Sequence, residues 1–130
     1  MKFIATKEAP SAIGPYSQAI AVNGMVYTSG QIALNTDGEM VGSDVETQTH
    51  QVMKNLQHVL QAAGAEYGDV IKTTIFLADM DDFLKVNAIY AAYFGDHKPA
   101  RSTVAVKTLP KNALVEIDCM ALCEEHVNFG

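Results

Sequence analysis

Arg101 is the only arginine in a chain of 130 residues, and it stands directly after Pro99-Ala100 at the start of a β-branched, apolar segment. A guanidinium held at the rigid start of a strand offers a planar fork. That fork grips a carboxylate through two parallel hydrogen bonds. The same residue would serve as well in an ordinary surface salt bridge, and its type alone does not separate the two. Glu116 falls on the strand that follows, on one face with Leu114 and Met120. Burial raises a carboxyl pKa and a nearby arginine lowers it. A carboxylate balanced between the two can handle the protons of a bound water. A purely structural Arg101–Glu116 pair is the alternative.

Three further positions carry polar or permissive residues inside apolar patterns. Asn87 interrupts a helix stripe made of Phe83, Val86, Tyr90 and Phe94. A buried amide there must be hydrogen-bonded, either to nearby backbone or into a site. Ser29-Gly30 breaks an apolar strand, and a strand glycine often marks close approach of a ligand or another backbone. Tyr16 follows Gly14-Pro15 and reads first as a core or interface aromatic. The histidines, His50, His58, His97 and His126, form no H-E-x-x-H motif and lie near no cysteine pair at metal spacing. Gly-rich phosphate loops and a G-x-S-x-G elbow are also missing. The expected site therefore uses no metal and no cofactor.

The elements that must carry these residues follow from periodicity. Residues 2–5 predict a short strand. Residues 16–22 and 25–34 predict two strands around Asn23-Gly24, a two-residue hairpin signal because both positions tolerate positive φ. A helix starts at Asp44, a good N-cap, and keeps helical spacing from Val45 to Ala63, with Gly64 placed to end it. Residues 69–78 are rich in β-branched residues and predict a strand. A second helix is expected over residues 80–94, capped by Asp79 or Asp81. Residues 101–109 and 114–123 predict the last two strands, around the turn 110–113. The order is β-β-β-α-β-α-β-β: a six-stranded sheet with two helices packed on one face, in a single domain spanning residues 1–130. In the last strand Val115, Ile117, Cys119, Ala121 and Cys123 line one side, fit to meet the helices. The other side carries Leu114, Glu116, Asp118, Met120 and Leu122. It is too apolar for water, and no third layer exists, so another copy of the chain is expected to cover it.

Composition narrows the partners. Hydrophobic residues make up 48% and charged residues 18%, with a net charge of −6. That is globular composition, and the acidity argues against nucleic acid, which calls for a basic footprint. An acidic protein that binds an anion must do so with one or two well-placed cations. No apolar run reaches the ~18 residues of a membrane span. The first residues turn polar too soon for a signal peptide. Cys119 and Cys123 on one strand would stand about 13 Å apart, beyond disulfide reach. They are read as buried small apolar residues in a reducing cytoplasm.

The run Pro-Ala-Arg-Ser-Thr-Val-Ala-Val-Lys-Thr-Leu from residue 99, with Val115-Glu116-Ile117 after it, resembles the signature of the Rid family, also called YjgF-like proteins. Residues 12–18, 28–32 and 69–74 leading to Asn87 resemble the family too, in family order along essentially the whole chain. The resemblance implies a chorismate-mutase-like α+β fold and a homotrimer with sites in the clefts between subunits. It implies hydrolysis of reactive enamines and imines, such as 2-aminoacrylate, to 2-keto acids and ammonia. By resemblance Arg101 binds the substrate carboxylate, Glu116 holds or activates water, and Tyr16, Ser29, Gly30 and Asn87 line the pocket. Many relatives carry Cys two residues after the arginine, where this chain has Thr103. Arg101 and Thr103 point the same way on a strand, so Thr103 is expected to line the site. A water-based mechanism survives the change; a thiolate nucleophile would not. Two other classes are carried: a regulator that binds a 2-keto acid or amino acid and touches a partner protein, and an RNA-cleaving protein, which the acidic charge disfavours.

Overall fold

The structure is a computed structural model that describes residues 1–123. His126 lies outside the described residues. The strands are β1 (Lys2–Ile4), β2 (Ala19–Val22), β3 (Met25–Thr28), β4 (Val70–Leu77), β5 (Ala100–Ala105) and β6 (Val115–Leu122). The helices are α1 (Val45–Ala62) and α2 (Phe83–Phe94). The predicted element order is observed. Asn23 and Gly24 take φ of 52° and 75°, the left-handed pair that a tight β2–β3 hairpin needs. Asp44 caps α1 by accepting from the Thr47 N–H at 2.8 Å, and Gly64 leaves it with φ of 81°.

Several boundaries move. β2 begins at Ala19 rather than 16, because Gly14-Pro15-Tyr16 forms a tight turn with Tyr16 N–H donating to Gly14 O at 2.9 Å. β3 stops at Thr28, just before Ser29-Gly30. Asp79, not Asp81, is the capping carboxylate. It accepts from Asp81 N–H and starts a 3-10 turn, so α2 proper begins only at Phe83.

The larger correction concerns strand order. All six strands form one sheet in the order β1-β2-β3-β6-β4-β5. β5 pairs with β4 in parallel, whereas β6 lies antiparallel between β3 and β4. Arg101 and Glu116 are therefore not on adjacent strands, as expected from their sequence order; β4 separates them. The connection 106–114 is too long for a hairpin and carries the chain past β4 instead. α2 serves as the crossover that a parallel pair requires.

The helices cover one face of the sheet. There Val115, Ile117, Cys119 and Ala121 of β6 meet Ile75 and Leu77 of β4 and Val52, Met53, Leu56, Val59 and Leu60 of α1. Of the alternate positions, Glu116, Asp118, Met120 and Leu122 turn away from the helices, whereas Leu114 lies before β6 and packs partly buried against the core. Met120 and Leu122 stay exposed on the opposite face, next to the exposed Tyr27, which pairs with Met120. No helix among the described residues is long and apolar enough to cross a membrane.

Three buried amides tie irregular segments to this frame. Gln18 accepts from Thr6 N–H at 2.7 Å and donates to Pro10 O at 2.8 Å, fixing residues 6–10. Gln48 donates to Gly42 O and accepts from Leu114 N–H. Asn55, 1% exposed, donates to Ile32 O at 3.2 Å and Leu34 O at 2.9 Å. A leucine at residue 55 would keep the branched shape, with slightly more bulk, and remove the donors. Asn55→Leu is expected to destabilise the fold by about 1–3 kcal/mol, read as a lower urea midpoint with an unchanged slope.

Candidate active site

Arg101 stands opposite Thr73 in the parallel β4–β5 register, so both side chains point to the helix-covered face. Its Nη1 donates to Asn87 Oδ1 at 2.7 Å. Its Cζ lies 5.0 Å from the centre of the Tyr90 ring and 5.5 Å from that of Phe83. Phe83, Asn87 and Tyr90 follow helical spacing, which puts all three on the side of α2 that meets β5. Among the described residues no carboxylate forms an ion pair with Arg101. Its positive charge thus meets a neutral amide and two ring faces, and remains available to an anion. The ordinary salt bridge left open by residue type is not what forms. The guanidinium borders a cavity of about 420 Å³ shared with Asn87, Tyr90, His97 and Lys98. His97 Nε2 donates to Val70 O at 2.6 Å and so holds the preceding loop against β4.

Glu116 pairs with Phe76 and points to the opposite face of the sheet. It lines a cleft of about 580 Å³ with Tyr16, Ser29 and Gly30, walled by Ile13, Ile32 and Pro110. A methyl group on Gly30 would stand 2.7 Å from Glu116 Oε2 and 2.8 Å from its Cδ. The carboxylate therefore rests directly against the Gly30 backbone, which only glycine allows. The surrounding main chain is tied down by paired bonds between Gln31 and Ile117 and by Ser29 N–H to Gln18 O. The Ser29 hydroxyl donates to Ser17 O at 2.5 Å, so it braces the segment after Tyr16 as well as lining the cleft.

Burial first, and then the neighbouring Asp118, pushes the Glu116 carboxyl above its ordinary value. The expected opposing pull of Arg101 is absent within one chain, because the two groups occupy opposite faces. The structural Arg101–Glu116 pair does not form.

The predicted residues thus fall into two groups. Arg101 and Asn87 touch, and Tyr16, Ser29, Gly30 and Glu116 share one cleft. Thr103 points to the same face as Arg101, since it pairs with Ile75. It opens, however, onto a separate groove with Met80, Phe83 and Leu84. Its Oγ1 is buried and has no hydrogen-bond partner among the described residues. Sequence reasoning missed the aromatic contacts of Arg101. Phe83 and Tyr90 were legible as an apolar stripe around Asn87, but nothing local said that the stripe faces the arginine. It also missed Ile13, Ile32 and Pro110 as cleft walls.

Two outcomes follow. Gly30→Ala is expected to fold, because only a flexible side chain must move, while the displaced Glu116 loses its place in the cleft and any reaction that uses its carboxylate falls at least about tenfold. Circular dichroism beside turnover checks this. For Glu116→Gln the sign comes from linkage. A carboxyl raised in the folded state favours folding below its unfolded pKa, and that advantage disappears as pH rises through the folded value. Glu116→Gln should therefore be more stable than the parent at pH 7, with the gain vanishing below about pH 4. Thermal midpoints at the two pH values test it.

Comparison with known proteins adds to this geometry. The family model described as Endoribonuclease L-PSP matches residues 6–123. A Lactococcus lactis protein carrying the regulator name AldR is 54% identical over 122 residues, covering 93% of this chain and 97% of its own. The 2-iminobutanoate/2-iminopropanoate deaminase of Escherichia coli K12 is 45% identical over 124 residues, covering 93% and 97%. The crystal structure of YyfA from Yersinia pestis, described as a Rid-family protein of unknown function, superposes with a TM-score of 0.91 at 54% identity, over 93% of this chain and 98% of that one. With its motifs in family order and its fold and sequence matched over nearly the full length, this chain belongs to the Rid (YjgF) family, the family of the Endoribonuclease L-PSP model.

Proposed function

We propose that the chain hydrolyses 2-imino acids, formed from enamines such as 2-aminoacrylate, to 2-keto acids and ammonia, without metal or cofactor. The observation that carries the reading is Arg101. It is a cation with no carboxylate partner among the described residues, held by an amide and two rings at the mouth of a cavity, in an acidic chain. The name of the 45%-identical deaminase supplies the reaction class.

The reaction needs positioning more than force, because an imine is already electrophilic. Arg101 holds the carboxylate through its fork and draws charge from the adjacent C=N. Glu116, with its raised pKa, orients a water and takes its proton as oxygen adds to the imine carbon. Glu116 returns that proton to nitrogen to complete the neutral carbinolamine, then moves the hydroxyl proton to nitrogen as well, so that the C=O bond forms as the C–N bond breaks and ammonia leaves. The Tyr16 hydroxyl and the Gly30 backbone orient the substrate. Thr103 lies on the same side of β5 as Arg101, in the neighbouring groove, where its hydroxyl is left to hydrogen-bond a water.

Arg101 and Glu116 point to opposite faces of one sheet, so a site that uses both takes them from different subunits. The exposed Tyr27, Met120 and Leu122 supply apolar area for such an assembly. We therefore propose a homotrimer with substrate in the clefts between subunits and a cytoplasmic site of action. A second reading, a metabolite-binding regulator, is favoured by the name of the 54%-identical relative. A sensor would bind 2-keto acid without speeding imine loss.

Freshly generated 2-iminopropanoate distinguishes the readings. The parent protein is expected to accelerate its decay, and Arg101→Ala to lose nearly all of that activity while remaining an oligomer. Parent-level turnover by Arg101→Ala would sink the proposal. Arg101→Ala and Glu116→Ala, each inactive alone, should regain activity when unfolded and refolded together, since some clefts then receive both native residues. No recovery on mixing would place the whole site within one subunit.

A further inference from the structure

Arginine side chains at a surface sample many rotamers, and an exposed arginine normally orders only when its anion arrives. Arg101 is exposed by its total surface, yet its guanidinium is bounded on several sides. The Tyr90 ring is its nearer aromatic neighbour. Tyr90 is itself fixed at both ends. Its hydroxyl and Thr73 Oγ1 lie 2.7 Å apart in a buried hydrogen bond, and Thr73 is the residue directly opposite Arg101 on β4. Its ring packs on Phe94 at 4.5 Å between centres, and Phe94 on Tyr67 at 4.8 Å. The Tyr67 hydroxyl donates to Met53 O on α1. A continuous aromatic chain thus runs from the core of α1 to the guanidinium.

We infer that Tyr90, locked in place by Thr73, is a positioning residue: it holds the Arg101 guanidinium in its carboxylate-binding orientation before any substrate arrives. The inference rests on the proposed reading that Arg101 binds a carboxylate. A ring face beside a cation restricts its plane without neutralising it, as a carboxylate partner would. Asn87 limits rotation from the other side by accepting from Nη1. The carboxylate then meets a preformed fork, and the ordering cost falls on folding rather than on binding. A tyrosine that merely fills the core would leave the arginine as mobile as any other.

Because Arg101 is the only arginine, its Nε–Hε pair gives a single assignable NMR signal. In Tyr90→Leu that signal should lose the Tyr90 share of its ring-current shift, leaving that of Phe83, and exchange faster with solvent. Affinity for pyruvate, an unreactive carboxylate, should fall about tenfold. KM for 2-iminopropanoate should rise by a similar factor, with kcat changed by less than about threefold. Val86→Ala removes buried volume from the same helix but none of the amide or ring partners of Arg101, and is expected to alter none of these. An unchanged arginine signal and pyruvate affinity in Tyr90→Leu would overturn the inference, as would equal changes in Val86→Ala. If Tyr90→Leu does not fold, Tyr90→Phe carries the test. Its ring, released from Thr73, should give faster Nε–Hε exchange, and exchange at the parent rate overturns the inference. If the parent fails to accelerate imine decay while Tyr90→Leu still loosens the arginine and weakens pyruvate binding, the catalytic reading falls and the positioning role stands.

Discussion

Thr73 on β4 faces Arg101 on β5 and Cys119 on β6, and this cross-strand row sets the direction of everything around it. Side chains alternate along a strand, so a row that points to the helices forces the next row away from them. Arg101 and Cys119 go to the helix side, and Phe76 and Glu116 go to the other. A shift of one residue in the β4–β5 register would turn Arg101 away from Asn87, Phe83 and Tyr90 at once. The parallel pairing is held by α2, which is both the crossover and the source of those three contacts. The element that makes the register possible also equips the arginine.

The Glu116 cleft depends on a different device. Much of its wall is irregular chain: residues 10–16, 29–32 and 110–111. Loops hold a shape only when their backbone groups are satisfied. Gln18 and Asn55 satisfy them from inside the core, and the Ser29 hydroxyl satisfies Ser17. Gly30 lets the Glu116 carboxylate lie against the main chain. Two consecutive residues of positive φ, Lys111 and Asn112, turn the last loop between the buried Leu109 and Ala113. Such backbone is retained only where surrounding anchors over-determine it.

Electrostatics divides along the same line. The chain is acidic overall, yet among the described residues its arginine has no carboxylate against it, while Glu116 is half-buried beside another acid. Each half is poised for a partner of the opposite kind: the first for an anion, the second for a proton or a cation. Charges are rarely left so within one chain unless something else completes them.

The sequence by itself determined the type and order of every strand and α-helix. Caps, turn glycines and side-chain periods are local properties, read from a few neighbouring residues. It also named Arg101, Glu116, Asn87, Tyr16, Ser29 and Gly30, because each is a polar or permissive residue inside an apolar pattern and fits the family motifs. Tertiary structure alone decided that β6 inserts between β3 and β4 and that Arg101 and Glu116 look away from each other. Strand order is a choice among distant pairings, and nothing within the connection 106–114 encodes its destination. The aromatic clamp was hidden for the same reason. A stripe of Phe83, Val86, Tyr90 and Phe94 says that a helix face is buried, but only packing says against what. The Arg101–Glu116 pair that the sequence left open as an alternative therefore gives way to an arginine partnered by α2, with the carboxylate on the far side of the sheet.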